Sequence, residues 1–281
     1  MVLMDIQPEM SIALGLVNEN SLIVKITRKL SKLALQNASG VVVIGRCMLE
    51  KLENLGVQKE KITVISNWAD EQLVFPISVN ENKLRQDMGW QKKFVVLYAG
   101  NIGLPQYFED LLSVAEKLSG NKNIQFVFIG EGRQKIKIKE IINNKNLSNV
   151  QLLPFLHLQY SLAEIMSSAD LHFVSLKEKC TGLAVPSKAY TIFASGRPLI
   201  FQGNKKCEIA LILEEHNNGI TVPIGDVNSL QSAIEKLFEN KNLRESMGNK
   251  SRWLATNLLS QKVAIKKYVD FLIGSRISES G

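Results

Sequence analysis

Residues Phe94–Arg133 read "FVVLYAGNIGLPQYFEDLLSVAEKLSGNKNIQFVFIGEGR". Two short apolar runs each end at a glycine, and a stretch of helical periodicity lies between them. Runs rich in Val, Ile and Phe are the pattern of strands buried on both faces. Strand, glycine turn, helix and strand make a right-handed crossover in a parallel sheet. The same unit recurs along the chain. "VVVIG" (Val41–Gly45), "KITVIS" (Lys61–Ser66), "VQLLPFL" (Val150–Leu156), "DLHFVSL" (Asp170–Leu176) and "PLIFQG" (Pro198–Gly203) read as further strands. Helices are expected at about 21–36, 47–55, 107–118, 133–145, 158–168 and 227–239. The expected fold class is α/β, with Rossmann-like parallel sheets and helices on both faces. Polar "SNWADEQLVFPISVNENK" (Ser66–Lys83) interrupts the alternation, so a domain boundary is expected near Asn67–Trp68.

Composition narrows the class. The 281 residues, 45% hydrophobic and 22% charged, suit a globular protein of one large or two ordinary domains. A net charge of +7 favours a polyanionic partner: nucleotide phosphates, nucleic acid or an acidic membrane. Cys47, Cys180 and Cys207 lack metal-ligand spacing and suggest a reducing compartment rather than a disulfide frame. No apolar run reaches membrane-spanning length, and "MVLMDIQPEM" lacks a signal-peptide pattern.

In open parallel sheets, ligands sit beyond the carboxyl ends of the strands. Three turns there carry the chemistry of an anion site. "YAGNIG" brings Gly100, Asn101 and Gly103; "IGEGR" opens a helix that carries Arg133 and Lys135. The third turn lies in "TGLAVPSKAYTIFASGRP" (Thr181–Pro198). Pro186 suits a first helical turn, Gly196 the left-handed position past a helix end, and Pro198 blocks continuation. A helix over Pro186–Ser195 would present Ser187 and Lys188 at its amino end, where amides and positive charge favour phosphate. Each turn alone is what any capped helix or strand end wants; together they point to a nucleotide phosphate.

The order "YAGNIG", "FVFIGEG", "NVQLLPFL", "VPSKAY", "FASGRP", "NNGITVPIGD", "LRESMGNKSR" resembles the carboxyl-terminal half of a GT-B glycosyltransferase of family 4, of the bacterial exopolysaccharide and O-antigen type. "MDIQPE", "ASGVVVIGRCMLEKL" and "KITVISNWAD" resemble the last part of that family's amino-terminal domain. The resemblance implies a partial amino-terminal domain over 1–66, a nucleotide-sugar domain over 67–255, and a closing helix over 256–281 that packs back on the first domain. It also implies that more than a hundred residues of the family's first domain precede this point, here absent or supplied by a separate chain.

The function so implied is transfer of a sugar from a nucleotide diphosphate sugar, UDP-linked by default, to a glycan or polyprenyl-phosphate-linked acceptor in polysaccharide biosynthesis. Transfer would proceed with retention and without a metal ion or other cofactor. By the same resemblance, Gly100, Asn101 and Gly103 face the sugar and diphosphate. Ser187 and Lys188 meet the distal phosphate, with Arg133 and Lys135 adding charge. Pro154, Phe155 and Leu156 present backbone to the base, and Thr191 faces the ribose. No catalytic residue is assigned. The chain departs from the family at two points. The family's two glutamates, eight residues apart, are Leu183 and Thr191 here, and Gln106 stands where a basic residue often follows the glycine loop. A noncatalytic nucleotide-binding or scaffold subunit is therefore the competing expectation. Nothing here interleaves aromatic and basic residues as a nucleic-acid binder would.

The remaining features have plainer readings. His172 lies in an apolar run and is expected to be packed, with His157 and His216 scattered. Trp68 is expected to be a domain contact, and Arg197 to cap the helix before it. Asp5 and Glu9 read equally as acceptor contacts or as a helix opening. In "SLIVKITRKLSKLALQ" (Ser21–Gln36), Leu22, Ile23, Ile26, Leu30, Leu33 and Ala34 share one face, opposite Lys25, Arg28, Lys29 and Lys32. The expectation is that the apolar face covers a sheet while the basic face rests on an anionic membrane, placing the protein in the cytoplasm or peripherally on the inner face of its membrane.

Overall fold

The computed structural model describes residues 1–279, with side chains through residue 274. It contains two parallel sheets. The first is built from β1 (Val2–Leu3), β2 (Val41–Val43) and β3 (Ile62–Val64), with α1 (Glu9–Ala13), α2 (Leu22–Asn37) and α3 (Arg46–Asn54) between them. After α4 (Lys83–Asp87) the second series runs β4 (Phe94–Ala99), α5 (Glu109–Lys117), β5 (Ile124–Ile129), α6 (Lys135–Asn144), β6 (Val150–Leu153), α7 (Leu162–Ser167) and β7 (Leu171–Ser175). It continues with α8 (Lys188–Ala194), β8 (Leu199–Gln202), α9 (Glu208–His216) and β9 (Gly219–Val222), and closes with α10 (Val227–Glu239), α11 (Lys241–Asn257) and α12 (Gln261–Glu279).

The second sheet has the order β6-β5-β4-β7-β8-β9, so chain order reverses between β4 and β7. Period-two alternation divides its core between two faces. Phe94, Val96 and Tyr98 of β4 pack with Leu111 of α5, Ile138 of α6 and Ile234 of α10. Val95 and Leu97 point the other way, to Leu84 of α4, Trp90 and Ile165 of α7. Arg85 is buried there, but its guanidinium is spent on Asp170 at 2.8 Å and on the carbonyls of Ser168 and Trp90.

The two sheets are sewn together. The Ile6 amide donates to Leu183 O at 2.8 Å. The Arg46 amide donates to the buried Glu208 carboxylate at 2.6 Å, and the Arg46 guanidinium bridges Glu208 and Glu215. Cys47 and Cys207 lie buried at this seam, and all three cysteines are free thiols. From the far end of the chain, Ala264 of α12 packs on Val42 and Ile65, beside Trp68 and Tyr268.

The face of α2 is a correction. Leu22, Ile23, Ile26, Leu30 and Leu33 are exposed, with Ile23 at 76%. The side turned to the protein is instead Val24, Arg28, Ser31 and Leu35. Val24 and Leu35 are buried there, Arg28 is held on the same side by Glu9 at 2.8 Å and Glu19 at 2.9 Å, and the Ser31 hydroxyl donates to Gln7 O. The apolar arc faces outward, with Lys25, Lys29 and Lys32 exposed along one edge of it. Glu9 is thus a partner of Arg28.

Arg197 is a second correction. It reaches away from α8, donating to Ile77 O and Ser167 O at 2.8 Å each. The carbonyl of Ala194 at the end of α8 is served by Arg252 at 2.8 Å.

His172 is fully buried in β7, as the sequence suggested, with Nε2–H donating to Met166 O at 2.8 Å and Nδ1 unpartnered. Burial lowers its pKa to about 4. Its folded form is therefore neutral, while the unfolded chain takes up a proton near pH 6.5. Stability is full above pH 6.5 and falls toward pH 4, by about 3 kcal/mol from this group. Urea titrations across that range on wild type and His172→Leu should show a shallower acid slope in the variant. Parallel slopes would contradict a neutral buried His172.

Candidate functional site

The reversal between β4 and β7 opens a crevice at the strands' carboxyl ends, where ligands of such sheets bind. A cavity of ≈ 510 Å³ lies there. Gly100 and Asn101 from the β4 loop, Phe155 and Leu156 from the β6 loop, and Ser187, Lys188 and Thr191 from α8 line it. A larger hollow of ≈ 750 Å³ sits at the β8–β9 edge, and its lysines, Lys205 and Lys206, are exposed surface residues.

Seven residues expected at the site thus converge. Four do not line the cavity. Lys135 Nζ is paired with Glu131 at 2.5 Å. Arg133 and Pro154 are exposed outside the lining. Gly103 is buried under the loop, its amide donating to Gln106 Oε1 at 3.0 Å and its carbonyl accepting from Gln134. Gln106 therefore fastens the loop rather than facing an anion.

The glycines of "IGEG" also have a role different from the expected one. Gly130 has φ +149 and Gly132 φ +148, conformations that exclude side chains. A Cβ on Gly130 would strike Gly100 O, and one on Gly132 would strike Ile102 O. The two loops lie backbone against backbone, with the Gly100 amide donating to Ile129 O and the Ile102 amide to Glu131 O at 2.7 Å. These glycines let the loops meet; they do not face the cavity.

Lys188 is the electrostatic centre. Its stem crosses the bare Cα of Gly100, where a Cβ would lie 3.5 Å from Cε and Nζ. Its ammonium donates to the Tyr98 hydroxyl and lies 3.8 Å from that ring's centroid. No carboxylate pairs with it among the described residues, and burial lowers its pKa to about 7. α8 itself has only seven residues, starting one position later than Ser187, whose side chain makes no capping bond.

Sequence reading missed Tyr98, Trp68 and His157. Trp68 is both a cavity wall and a domain contact, with its ring 6.4 Å from Tyr268 on α12 at 73°. Its signal was its position at the crossing between two sheets. Tyr98 was marked only by being polar near the end of an apolar strand. Leu183 and Thr191, at the places of the family's glutamates, separate: Thr191 lines the cavity, whereas Leu183 is buried with its carbonyl bonded to Ile6.

The family model "Glycosyl transferases group 1" matches residues 80–253. The chain belongs to the group 1 glycosyl transferases. Among curated relatives of this family member, it is 28% identical over 267 residues to the probable glycosyltransferase WbjE of Pseudomonas aeruginosa, covering 94% of this chain and 65% of that protein. It is 26% identical to the putative colanic acid biosynthesis glycosyl transferase WcaI of Escherichia coli, covering 75% of this chain and 52% of that protein. The chain therefore spans less than two thirds of the length of either. Among solved structures, Anabaena Alr3699/HepE in complex with UDP superposes with a TM-score of 0.79 at 18% identity, covering 97% of this chain and 71% of that one. WaaG, a glycosyltransferase involved in lipopolysaccharide biosynthesis, superposes at 0.72 with 13% identity, covering 95% and 72%. The two-sheet α/β arrangement is that of the GT-B glycosyltransferases.

Proposed function

We propose that this chain binds the diphosphate of a nucleotide sugar, UDP-linked, in the cavity between the β4 and β7 loops, as the donor half of a family 4 glycosyltransferase acting in polysaccharide biosynthesis. The observation that carries this reading is the Lys188 ammonium, half-buried against a glycine loop at the switch point and without a carboxylate partner among the described residues. A partly desolvated cation without a counterion is unfavourable, and an incoming dianion relieves that cost. Ser187 adds a hydroxyl beside it, and Asn101 stands exposed at the mouth with an amide to donate. Thr191, one turn along α8, offers a hydroxyl to the ribose, and the 154–156 backbone runs along the base.

In the reaction, an acceptor hydroxyl attacks the anomeric carbon on the face that the diphosphate leaves, while the bond from that carbon to the phosphate oxygen breaks and the hydroxyl's proton passes to that phosphate oxygen. Negative charge grows on the leaving diphosphate. Lys188 and the loop amides stabilise it in the role a metal ion fills elsewhere. The transfer retains configuration and requires no cofactor.

The replacement of both family glutamates favours a second reading, a donor-binding subunit without turnover. UDP titration separates these from a third outcome, no binding. Lys188→Ala should weaken UDP about tenfold, the loss of one charge-assisted contact of about 1.5 kcal/mol. Unchanged affinity in a folded variant would remove the assignment. Binding without sugar transfer to any polyprenyl-phosphate-linked acceptor would favour the subunit.

The proposal extends to location. No helix of the described residues is long and apolar enough to cross a membrane. The outward arc of α2, edged by Lys25, Lys29 and Lys32, suits shallow insertion into an anionic leaflet on the cytoplasmic side. Co-sedimentation with anionic vesicles should persist in part at high salt and be lost in Ile23→Glu/Ile26→Glu. Equal recovery of wild type and variant would contradict it.

A further inference from the structure

The partner that Lys188 uses at rest has a function of its own. Tyr98 is fully buried near the end of β4. Phe108, edge-on at 4.7 Å, and Phe128 at 6.2 Å hold its ring. Its hydroxyl donates to Asn101 O at 2.5 Å and accepts from Lys188 Nζ. One phenol thus ties the loop after β4 to the helix after β7, the two walls of the crevice. Burial pushes the phenol's pKa up, so Tyr98 stays neutral and cannot serve as a counterion.

We propose that Tyr98 is a positioning residue for the donor: its hydroxyl and ring face hold Lys188 retracted over Gly100, and an arriving diphosphate draws the lysine outward as it takes up a proton from the solvent. This rests on the reading of the cavity as a diphosphate site. The free lysine, with a pKa of about 7, is largely neutral at pH 8. Two adjacent phosphate charges favour its protonated form. Affinity is therefore highest below pH 7 and falls as pH rises through it, by at most tenfold per unit. The other ionisable groups on the surrounding loops are Tyr107 after β4, Glu131 and Arg133 after β5, His157 and Tyr160 after β6, and Lys177, Glu178, Lys179 and Cys180 after β7. Glu131 is paired with Lys135, Tyr160 with Asp87 and Glu178 with Asn204, and none of these groups is bonded to Lys188 among the described residues.

The test uses UDP-glucose, whose diphosphate diester carries no titrating proton near neutrality. Calorimetry at pH 8 in two buffers of different ionisation enthalpy should show about 0.9 proton taken up per ligand bound. Lys188→Arg, always charged, should bind without uptake. Tyr98→Phe keeps the ring and removes the acceptor of the ammonium. If that lowers the lysine by about one unit, affinity falls about tenfold at pH 8 but only about twofold at pH 6. A loss equal at both pH values means Tyr98 only holds the loop, and overturns the proposal. Binding without proton uptake by wild type overturns it as well. If UDP-glucose does not bind, the donor reading fails by itself. The lysine's resting state is then read without ligand, from the pH dependence of Lys188 acetylation by acetic anhydride, followed by mass spectrometry. A midpoint near 7 that moves down in Tyr98→Phe supports the Tyr98–Lys188 device. A midpoint like that of a surface lysine contradicts it.

Discussion

The site depends on one constraint: an ammonium group is half-shielded from water, with no carboxylate paired to it among the described residues. Drawing a charge even partly out of water carries a cost. Three features around Lys188 lower that cost. Its pKa drops to about 7, so the group can shed the charge. The Tyr98 oxygen accepts its hydrogen bond, and the ring face attracts the cation. The lysine stem runs past Gly100, whose φ of +125 favours glycine, and a Cβ there would lie 3.5 Å from Cε and Nζ. On the proposed reading, the result is a lysine poised to meet an anion as a cation.

That poise is produced by topology. β4 and β7 are neighbours although β5 and β6 come between them in the chain, so the β4 loop and the start of α8 diverge from adjacent strands. The β4 loop is kept in place by the β5 loop, through glycines that admit backbone contact and nothing larger. The β7 side is kept in place by the first sheet, where Ile6 pairs with Leu183 just before Pro186. Trp68 and Tyr268 close the far wall and link it to α12. Movement of the first sheet against the second would therefore be felt at the cavity from both ends of the chain.

Most of the second sheet was legible, because strands buried on both faces leave uninterrupted apolar runs. Of the four edge strands, β3 and β6 carry such runs and β1 and β9 do not: β1 has two residues, and β9 is "GITV", half-buried at the sheet margin. α7 begins at Leu162 rather than Leu158, although Ser161 and Glu164 form a capping box whose spacing was readable. The face of α2 was misread because hydrophobic periodicity names an apolar side but not what covers it. Its buried positions are Val24 and Leu35, on the side where Glu9 and Glu19 hold Arg28. Around the cavity, Gly100, Asn101, Ser187 and Lys188 are marked in the sequence as turn residues after strands. Residues acting through a neighbour, Tyr98 above all, carry no such mark. Arg133 and Lys135 were drawn in by charge alone, and the structure turns them elsewhere.

The most direct measurement is a crystal structure of the chain grown with UDP. The account predicts both phosphates in the crevice between the β4 and α8 loops, Lys188 Nζ moved off the Tyr98 hydroxyl onto a phosphate oxygen, and uracil along residues 154–156. Nucleotide bound at another surface, or phosphates in the crevice with Lys188 still bonded to Tyr98, would contradict it.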